Sequence, residues 1–532
     1  MKQPQRIYIF DTTLRDGQQS PGAGMSFEDN VAYADYAELA GIDILEAGFP
    51  AASQHDFDIV RTIAGKLAAR QSPMRIAALC QLREAQVVRT MEALQAGLAM
   101  GCARVHTYVP VDPNLMAASL GQLAHEYARI VEDVYRLVHL AVTAGFEVEF
   151  SPEGYSRLQH QFDFTTDVIR AAVSAGACVI NCPDTIGGAS RWQGESYFVH
   201  HMQQHAAIIQ TEFPEREIIW SVHCHNDLGL ALDNTLTAVF EGPARQIEGC
   251  MNGVGERAGN VALEQCVMAI DQFGTMAHPH YTFFTKSRLE KLSDISNFIA
   301  EKMLVRQPHW PITGENAARH SSGGHTNAIL KNPLAYQPFD PKRVGQEISF
   351  VFGPLSGSNH AKDILEKHGF HCAESEKTLI AQSIKDKYAD RRKGITDEEL
   401  IEGYFEYYSP IKVDRLHYAR DASGNATVSL SGNFFGETTL NVHCSDGNSA
   451  LAALDCAVKA KFLPIEIINY HSNACAGGTV NVECNSTVVV RCGGEESFIG
   501  KAIDQDIEIS ALKAYIDAVN QAYVTQHYRT GK

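Results

Sequence analysis

Phe146-Glu147-Val148-Glu149-Phe150 opens a stretch that reads strand, helix, strand. An amphipathic pattern covers Phe164–Ala175, Gly176 follows it, and Cys178-Val179-Ile180-Asn181 is the next apolar run. Short apolar runs bounded by turn residues mark strands, and a longer 3.6-residue periodicity marks the helix between them. Glycine directly after the last helical alanine can take the left-handed conformation that stops a helix. The same Ala-Gly punctuation stands at Ala40-Gly41 and Ala144-Gly145.

Working outward, the unit repeats. Strand candidates are Ile7–Phe10, Ile42–Glu46, Ile76–Cys80, Arg104–Tyr108, Phe146–Phe150, Cys178–Asn181, Ile218–His223 and Gln246–Gly249, with amphipathic stretches such as Phe27–Ala40, Leu82–Ala99 and Leu123–Ala144 between them. Eight strand–helix units in this span predict an α/β chain that opens with a (β/α)₈ barrel. The barrel is expected over residues 1–275. Helical accessory subdomains are expected over 276–425, where the charge-rich Lys385–Glu406 reads as a solvated face. A C-terminal α+β domain is expected over 426–532, with strands Ala426–Leu430, Thr438–Val442, Ile465–Tyr470, Val480–Cys484 and Thr487–Arg491 and helices Asn448–Ala460 and Glu508–Ala522.

The totals narrow the function. The chain has 532 residues, 45% hydrophobic and 20% charged, with a formal net charge of -18. That balance speaks against nucleic acid or an anionic membrane as partner, while leaving room for a local basic pocket. No apolar run is long enough to span a bilayer and no apolar leader precedes Ile7. The 13 cysteines lack any C-x-x-C, so reduced thiols in the cytoplasm are expected.

Polar residues gather where the strands end. Asp11, Arg15 and Asp16 follow strand one, Glu46 ends strand two, and His106 lies on strand four. Glu153 follows strand five, Asn181 and Thr185 close strand six, and His223 and His225 end strand seven. Chemistry in such barrels collects at the C-terminal rim. Residues two apart on a strand face the same way, so His223 and His225 can share one divalent metal. Alone, such a pair can also simply bond its neighbours.

Asp11-Thr12-Thr13-Leu14-Arg15-Asp16-Gly17-Gln18-Gln19 is the most specific string. It resembles the opening signature of the barrel metallolyases that include 2-isopropylmalate, homocitrate and citramalate synthases and hydroxymethylglutaryl-CoA lyase. Glu46–Pro50, Asn181–Thr185, His223–Asp227 and Met251–Asn260 match in order. His320–His325 with Leu330-Lys331-Asn332 is similar to the accessory motif of the isopropylmalate synthases, the group the chain resembles most. The resemblance implies Claisen-type condensation of acetyl-CoA, as cosubstrate, with a 2-oxo acid to a 2-substituted malate and CoA, 2-oxoisovalerate being the first guess.

The same resemblance implies residue roles. Asp16, His223, His225 and Asn260 would hold a divalent metal (Mg, Mn or Zn). Arg15, Glu153 and His325 would be catalytic. His106, Asn181 and Thr185 would bind the 2-oxo acid, with Glu149 and Tyr155 beside its side chain. Asn252, Gly253, Gly255 and Glu256 resemble the acetyl-CoA-binding stretch. A homodimer with shared active sites is implied, His325 reaching in from the accessory region. Glu46 can instead brace Arg15, Asp11 can cap a turn, and His320 can order its loop.

The match departs at Ser151-Pro152-Glu153-Gly154-Tyr155, where the usual aspartate after the glutamate is glycine, and at Val109–Asn114. Glu149 disfavours the second carboxylate of 2-oxoglutarate. Aryl, phosphono and dicarboxylic oxo acids therefore stand as alternatives to 2-oxoisovalerate. The loop His471–Gly478 is shorter than in leucine-regulated members. A carbon–carbon lyase and a non-catalytic amino-acid sensor are the competing readings. The His320–His325 motif speaks against the lyase and the complete metal and base set against the sensor.

Overall fold

A computed structural model describes residues 2–303, 306–353, 355–389, 394–444, 449–462, 464–474 and 483–529. The chain divides into two compact units. One runs to Ala318 and includes Phe339–Glu347; the other holds Arg319–Pro338 and the described residues from Ile348 onward.

The first unit is a closed parallel barrel of β1 (Tyr8–Asp11), β2 (Ile44–Glu46), β3 (Arg75–Gln81), β4 (Ala103–Pro110), β5 (Glu147–Glu153), β6 (Val179–Asp184), β7 (Ile219–Cys224) and β8 (Ala244–Gly249). Closure is direct: Tyr8 pairs with Gln246 and Asp11 with Gly249. Parallel neighbours need a crossover, and helices supply it: α1 (Phe27–Leu39), α2 (Gln54–Ala69), α3 (Glu84–Ala93), α4 (Tyr127–Thr143), α5 (Phe162–Ala175), α6 (Phe198–Glu212), α7 (Ala231–Phe240) and α8 (Leu263–Phe273). Gly145 and Gly176 end α4 and α5 with φ of 94° and 113°, as the Ala-Gly punctuation predicts. The single helix expected over Leu82–Ala99 is broken after Ala93, and a short second helix spans Gln95–Leu98.

Each helix lays an apolar stripe on the sheet. In α4, Ile130, Val134, Leu137, Val138 and Ala141 are buried, each of the larger ones contributing about 1.5–3 kcal/mol relative to exposure. The helix Leu292–Met303 belongs to this unit, with Phe298 packed 4.5 Å from the Tyr36 ring of α1. The unit therefore continues well past residue 275.

Inside the barrel the lower layer is polar. Arg104 donates to Glu149 at 3.1 Å and to Gln246 at 2.8 Å, and Gln246 donates to Glu149 at 2.8 Å and to Ser221 at 3.0 Å. Buried charges persist only when paired and hydrogen-bonded in this way.

In the second unit, helices Ser358–Lys367, Lys377–Lys387 and Asp397–Tyr408 share a core of Ile364, Leu365, Ile380, Leu400 and Tyr404. Two antiparallel three-stranded sheets follow, β9 (Ile411–Arg420), β10 (Ala426–Phe434) and β11 (Glu437–Cys444), then β12 (Ile465–Ala474), β13 (Cys484–Cys492) and β14 (Ser497–Asp504), with α9 (Ala450–Lys461) and α10 (Ile507–Tyr528) against them. Neither β9 nor β14 is expected from the sequence, and of β13 (Cys484–Cys492) only Thr487–Arg491 and the end residue Cys484 are. Much of the expected strand Val480–Cys484, and Cys475–Gly478 of the loop before it, lie outside the described residues. None of the described helices is long and apolar enough to cross a membrane.

Candidate active site

The barrel's C-terminal rim surrounds a cavity of about 180 Å³ lined by Arg15, Asp16, His106, Glu153, Asn181, Thr185, His223 and His225, together with Phe49, Leu79, Tyr108, Ser151, Pro183 and Glu248. The strand ends position these groups. β1 delivers Arg15 and Asp16 through a tight turn in which the N–H groups of Arg15 and Asp16 donate to Thr12 O at 3.0 and 2.9 Å. Asp11 caps that turn, accepting from Thr13 N at 2.9 Å and from the Tyr33 hydroxyl at 2.6 Å.

Asp16, His223 and His225 converge. Asp16 Oδ2 lies 3.3 Å from His223 Nε2 and 3.8 Å from His225 Nε2, and the two imidazole nitrogens are 3.3 Å apart. All three side chains are buried, and one ligand atom from each falls within 4.8 Å of the others. Asn260 bridges to His225 through the backbone. Its Nδ2 donates to Val254 O at 3.0 Å, which leaves Oδ1 buried without a hydrogen-bond partner. A carboxylate, two imidazoles and an amide oxygen are the donor set of a divalent cation, so these residues fit a metal.

Glu248, which the sequence reading does not include, ties the site together. Its Oε1 lies 3.3 Å from His223 Nδ1 and accepts from Arg15 Nη2 at 3.1 Å, while Oε2 accepts from Asn181 Nδ2 at 2.8 Å. The signal was available: Gln246 and Glu248 stand two apart on β8, so both polar side chains enter the barrel. Glu46 braces Arg15, accepting from Nε at 2.7 Å, and accepts from Thr12 at 2.6 Å. His106 uses both ring nitrogens, Nδ1 toward Glu46 at 2.7 Å and Nε2 toward Ser151 Oγ at 2.8 Å. Glu46, His106 and Glu248 thus form a compact group whose oxygens already face protein donors.

Charge follows from these contacts. Burial pushes Asp16 up, but Arg15 and His223 outweigh it and hold its carboxyl well below the usual range. Burial likewise opposes the charge on Glu46, and Arg15 and His106 bring it down to about 2. Burial is the largest single influence on His106 and lowers it, but the charges of Glu46 and Glu248 and the Glu46 hydrogen bond together raise it above its ordinary value. Glu153 stands apart: burial raises its carboxyl, with only a partial offset from the Arg15 charge.

Three of the expected groups do not line this cavity. Glu149 is not at the rim. It lies four residues before Glu153 on β5, roughly 13 Å along the strand at about 3.3 Å per residue, fully buried against Arg104. Tyr155 turns away because Gly154 adopts φ 79°; its ring is fully buried and its hydroxyl bonds His205 Nδ1 at 2.6 Å behind the barrel wall. The stretch Asn252, Gly253, Gly255 is packed rather than open. Asn252 N donates to Glu264 at 3.0 Å and its Nδ2 to Ser296 O at 2.8 Å, while a Cβ on Gly255 would fall 2.2 Å from Asn260 Nδ2. These glycines make room for Asn260; Glu256 alone is exposed.

Thr185 lies at the rim, its Oγ1 accepting from Gly154 N at 2.9 Å. His325 belongs to the second unit, on the helix Gly323–Lys331, where it stacks on Tyr336 with ring centroids 3.9 Å apart. His320 orders its own segment, accepting from Gln337 Nε2 at 2.7 Å.

A parallel barrel with this donor set at its rim is a barrel of the HMGL-like class, whose family model matches residues 6–299. Residues 312–393 match a homocitrate synthase post-HMGL domain-like model, and 395–523 the LeuA allosteric (dimerisation) domain. The chain belongs to the 2-isopropylmalate synthase family of these proteins and is an enzyme. It is 34% identical to the 2-isopropylmalate synthase of Aquifex aeolicus (strain VF5), covering 98% of this chain and 97% of that one. It is 33% identical to those of Syntrophus aciditrophicus (strain SB) and Pelotomaculum thermopropionicum, over 97% of this chain in each case and 96% and 98% of theirs. Among solved structures, an HMG-CoA lyase of Bacillus subtilis matches at 19% identity with a TM-score of 0.45, covering 58% of this chain and 97% of that one.

Proposed function

We propose that the chain condenses acetyl-CoA with a 2-oxo acid carrying an uncharged side chain, 2-oxoisovalerate being the first choice, to give 2-isopropylmalate and CoA. The observation that carries the reading is the cavity's charge pattern. Among the described residues, Arg15 is the only Lys or Arg lining it, and Glu46, Asp16 and Glu248 already surround that guanidinium. A second carboxylate or a phosphonate would enter without a free cation to meet it, whereas Leu79, Phe49 and Pro183 offer apolar surface. This speaks against the dicarboxylic and phosphono alternatives.

Asp16, His223, His225 and Asn260 would hold a divalent cation, which when bound supplies Lewis acidity toward a ketone. The residues do the rest. Glu153, its basicity raised by burial, takes a proton from the thioester methyl group. The resulting carbon attacks the ketone carbon, a C–C bond forms, and the electron pair moves to the ketone oxygen. Arg15, fixed by Glu46 and Glu248, donates to that oxygen as its charge develops; a proton completes the hydroxyl. Water then adds to the thioester carbonyl, the C–S bond breaks, and CoA leaves as the thiol. His325 serves the proton transfers from a partner subunit in a homodimer, in keeping with the match to the LeuA dimerisation domain.

The test is mass spectrometry of the product from acetyl-CoA and 2-oxoisovalerate. A 2-isopropylmalate mass with equimolar free thiol is expected. A free thiol with no new C–C product would mean thioester hydrolysis alone and overturn the proposal.

A further inference from the structure

Three loops at the barrel's rim each carry one group of the site: Thr185 follows β6, His225 follows β7, and Asn260 ends the loop after β8. Backbone bonds join them in pairs. His225 N donates to Asp184 O at 3.2 Å and Leu228 N to Gly187 O at 3.3 Å, while Asn226 N donates to Gly259 O at 2.9 Å. One side chain spans all three loops. Arg257 donates from Nε to Asp227 Oδ1 at 2.8 Å, and from Nη2 to Asp227 Oδ2 at 3.1 Å and to Thr185 O at 2.8 Å. The backbone is shaped for this. Arg257 takes φ 55°, a left-handed conformation uncommon for a residue with a side chain. Gly187 leaves room for the carboxylate, since a Cβ there would fall 2.4 Å from Asp227 Oδ2.

We propose that Arg257 is a positioning residue whose fork on Asp227 and Thr185 sets the spacing of the metal-ligating loops. The inference rests on the divalent-metal reading of Asp16, His223, His225 and Asn260. Folding stability gives the fork little purpose: Arg257 is 43% exposed and Asp227 25%, and ion pairs that water reaches add little. Charge gives it none. A cation three residues from Asn260 repels a metal ion, so losing it would by charge alone tighten metal binding. Geometry acts the other way. Asp227 stands two residues after His225 and Arg257 three before Asn260, so a bidentate pair between them holds both ligands in register. Groups that orient a metal's ligands typically contribute about 10–100-fold to affinity or activity.

The test is calorimetric titration of metal-stripped, full-length protein with Mn²⁺, comparing wild type with Arg257→Ala and Arg257→Lys. About tenfold weaker binding is expected in both, with melting temperatures moved by no more than a few degrees. Lysine keeps the charge but cannot make the fork, so it does not restore affinity. Millimolar guanidinium ion, at matched ionic strength, is expected to restore part of it to Arg257→Ala. Without metal, amide exchange in the variants should quicken over residues 185–188 and 225–229 and stay unchanged in α4. Binding in Arg257→Ala as tight as wild type or tighter, or full affinity in Arg257→Lys, would overturn the assignment. Losses in the variants beside a wild type that forms no C–C product would overturn the condensation and keep the clamp. A wild type that binds no Mn²⁺ would overturn the metal reading and the clamp with it.

Discussion

Glu248 Oε1 lies 3.3 Å from His223 Nδ1, behind the ring whose Nε2 faces Asp16. From that side the Glu248 carboxylate can orient the ring, with Nε2 turned toward Asp16. Carboxylate partners of this kind commonly contribute about 10–100-fold in metal affinity. Glu248→Ala is therefore expected to weaken Mn²⁺ binding by that factor in a calorimetric titration. Unchanged affinity would mean that the ring is oriented by packing alone.

Arg15 is held by Glu46, Asp16 and Glu248 at once. Lysine keeps the charge but cannot form the planar fork. Arg15→Lys is expected to lower kcat by roughly 10²–10³ with a smaller change in KM for the oxo acid, the pattern of a lost transition-state donor. A rise in KM at constant kcat would assign Arg15 to ground-state binding instead.

Burial pushes His205 down to about 4, and its neutral ring accepts from Tyr155 and meets Thr166 Oγ1 at 3.0 Å. Between that value and the ordinary histidine pKa near 6.5, the unfolded chain binds the extra proton. Stability is thus complete above pH ~6.5 and falls as pH drops toward ~4, with a slope of up to about 1.4 kcal/mol per unit. Tyr155→Phe is expected to cost about 1–2 kcal/mol of stability and to leave oxo-acid selectivity unchanged, as chemical denaturation and kinetics would show. Altered selectivity would return Tyr155 to the substrate pocket.

Glu149→Gln makes a parallel test of depth. It leaves Arg104 with a weaker set of partners inside the barrel and is expected to destabilise the fold by up to about 3–5 kcal/mol. The ratio of kcat/KM for 2-oxoisovalerate and 2-oxoglutarate should stay as in wild type.

The barrel was legible because each strand is short, apolar and closed by turn residues, and the rim because polar groups recur where strands end. What escaped did so for physical reasons. Strand parity shows that Glu149 and Glu153 both face inward, but not that one lies far below the other. A single left-handed glycine, Gly154, sends Tyr155 out of the pocket. β9 was hidden by a register shift between Val413 and Arg415, which breaks the two-residue alternation. β14 turns Gly500 and Ala502 inward and leaves Ile499 and Ile503 exposed, because a Cβ on Gly500 would lie 2.0 Å from Ala514 O of α10.

CoA release with a thiol reagent, measured across branched, aromatic, phosphono- and dicarboxylic 2-oxo acids, tests the account most directly. Arg15's crowding by carboxylates predicts the highest kcat/KM for a branched, uncharged acid such as 2-oxoisovalerate, and release at background level for 2-oxoglutarate and phosphonopyruvate. Preference for a charged side chain, or release with none of the panel, would contradict it.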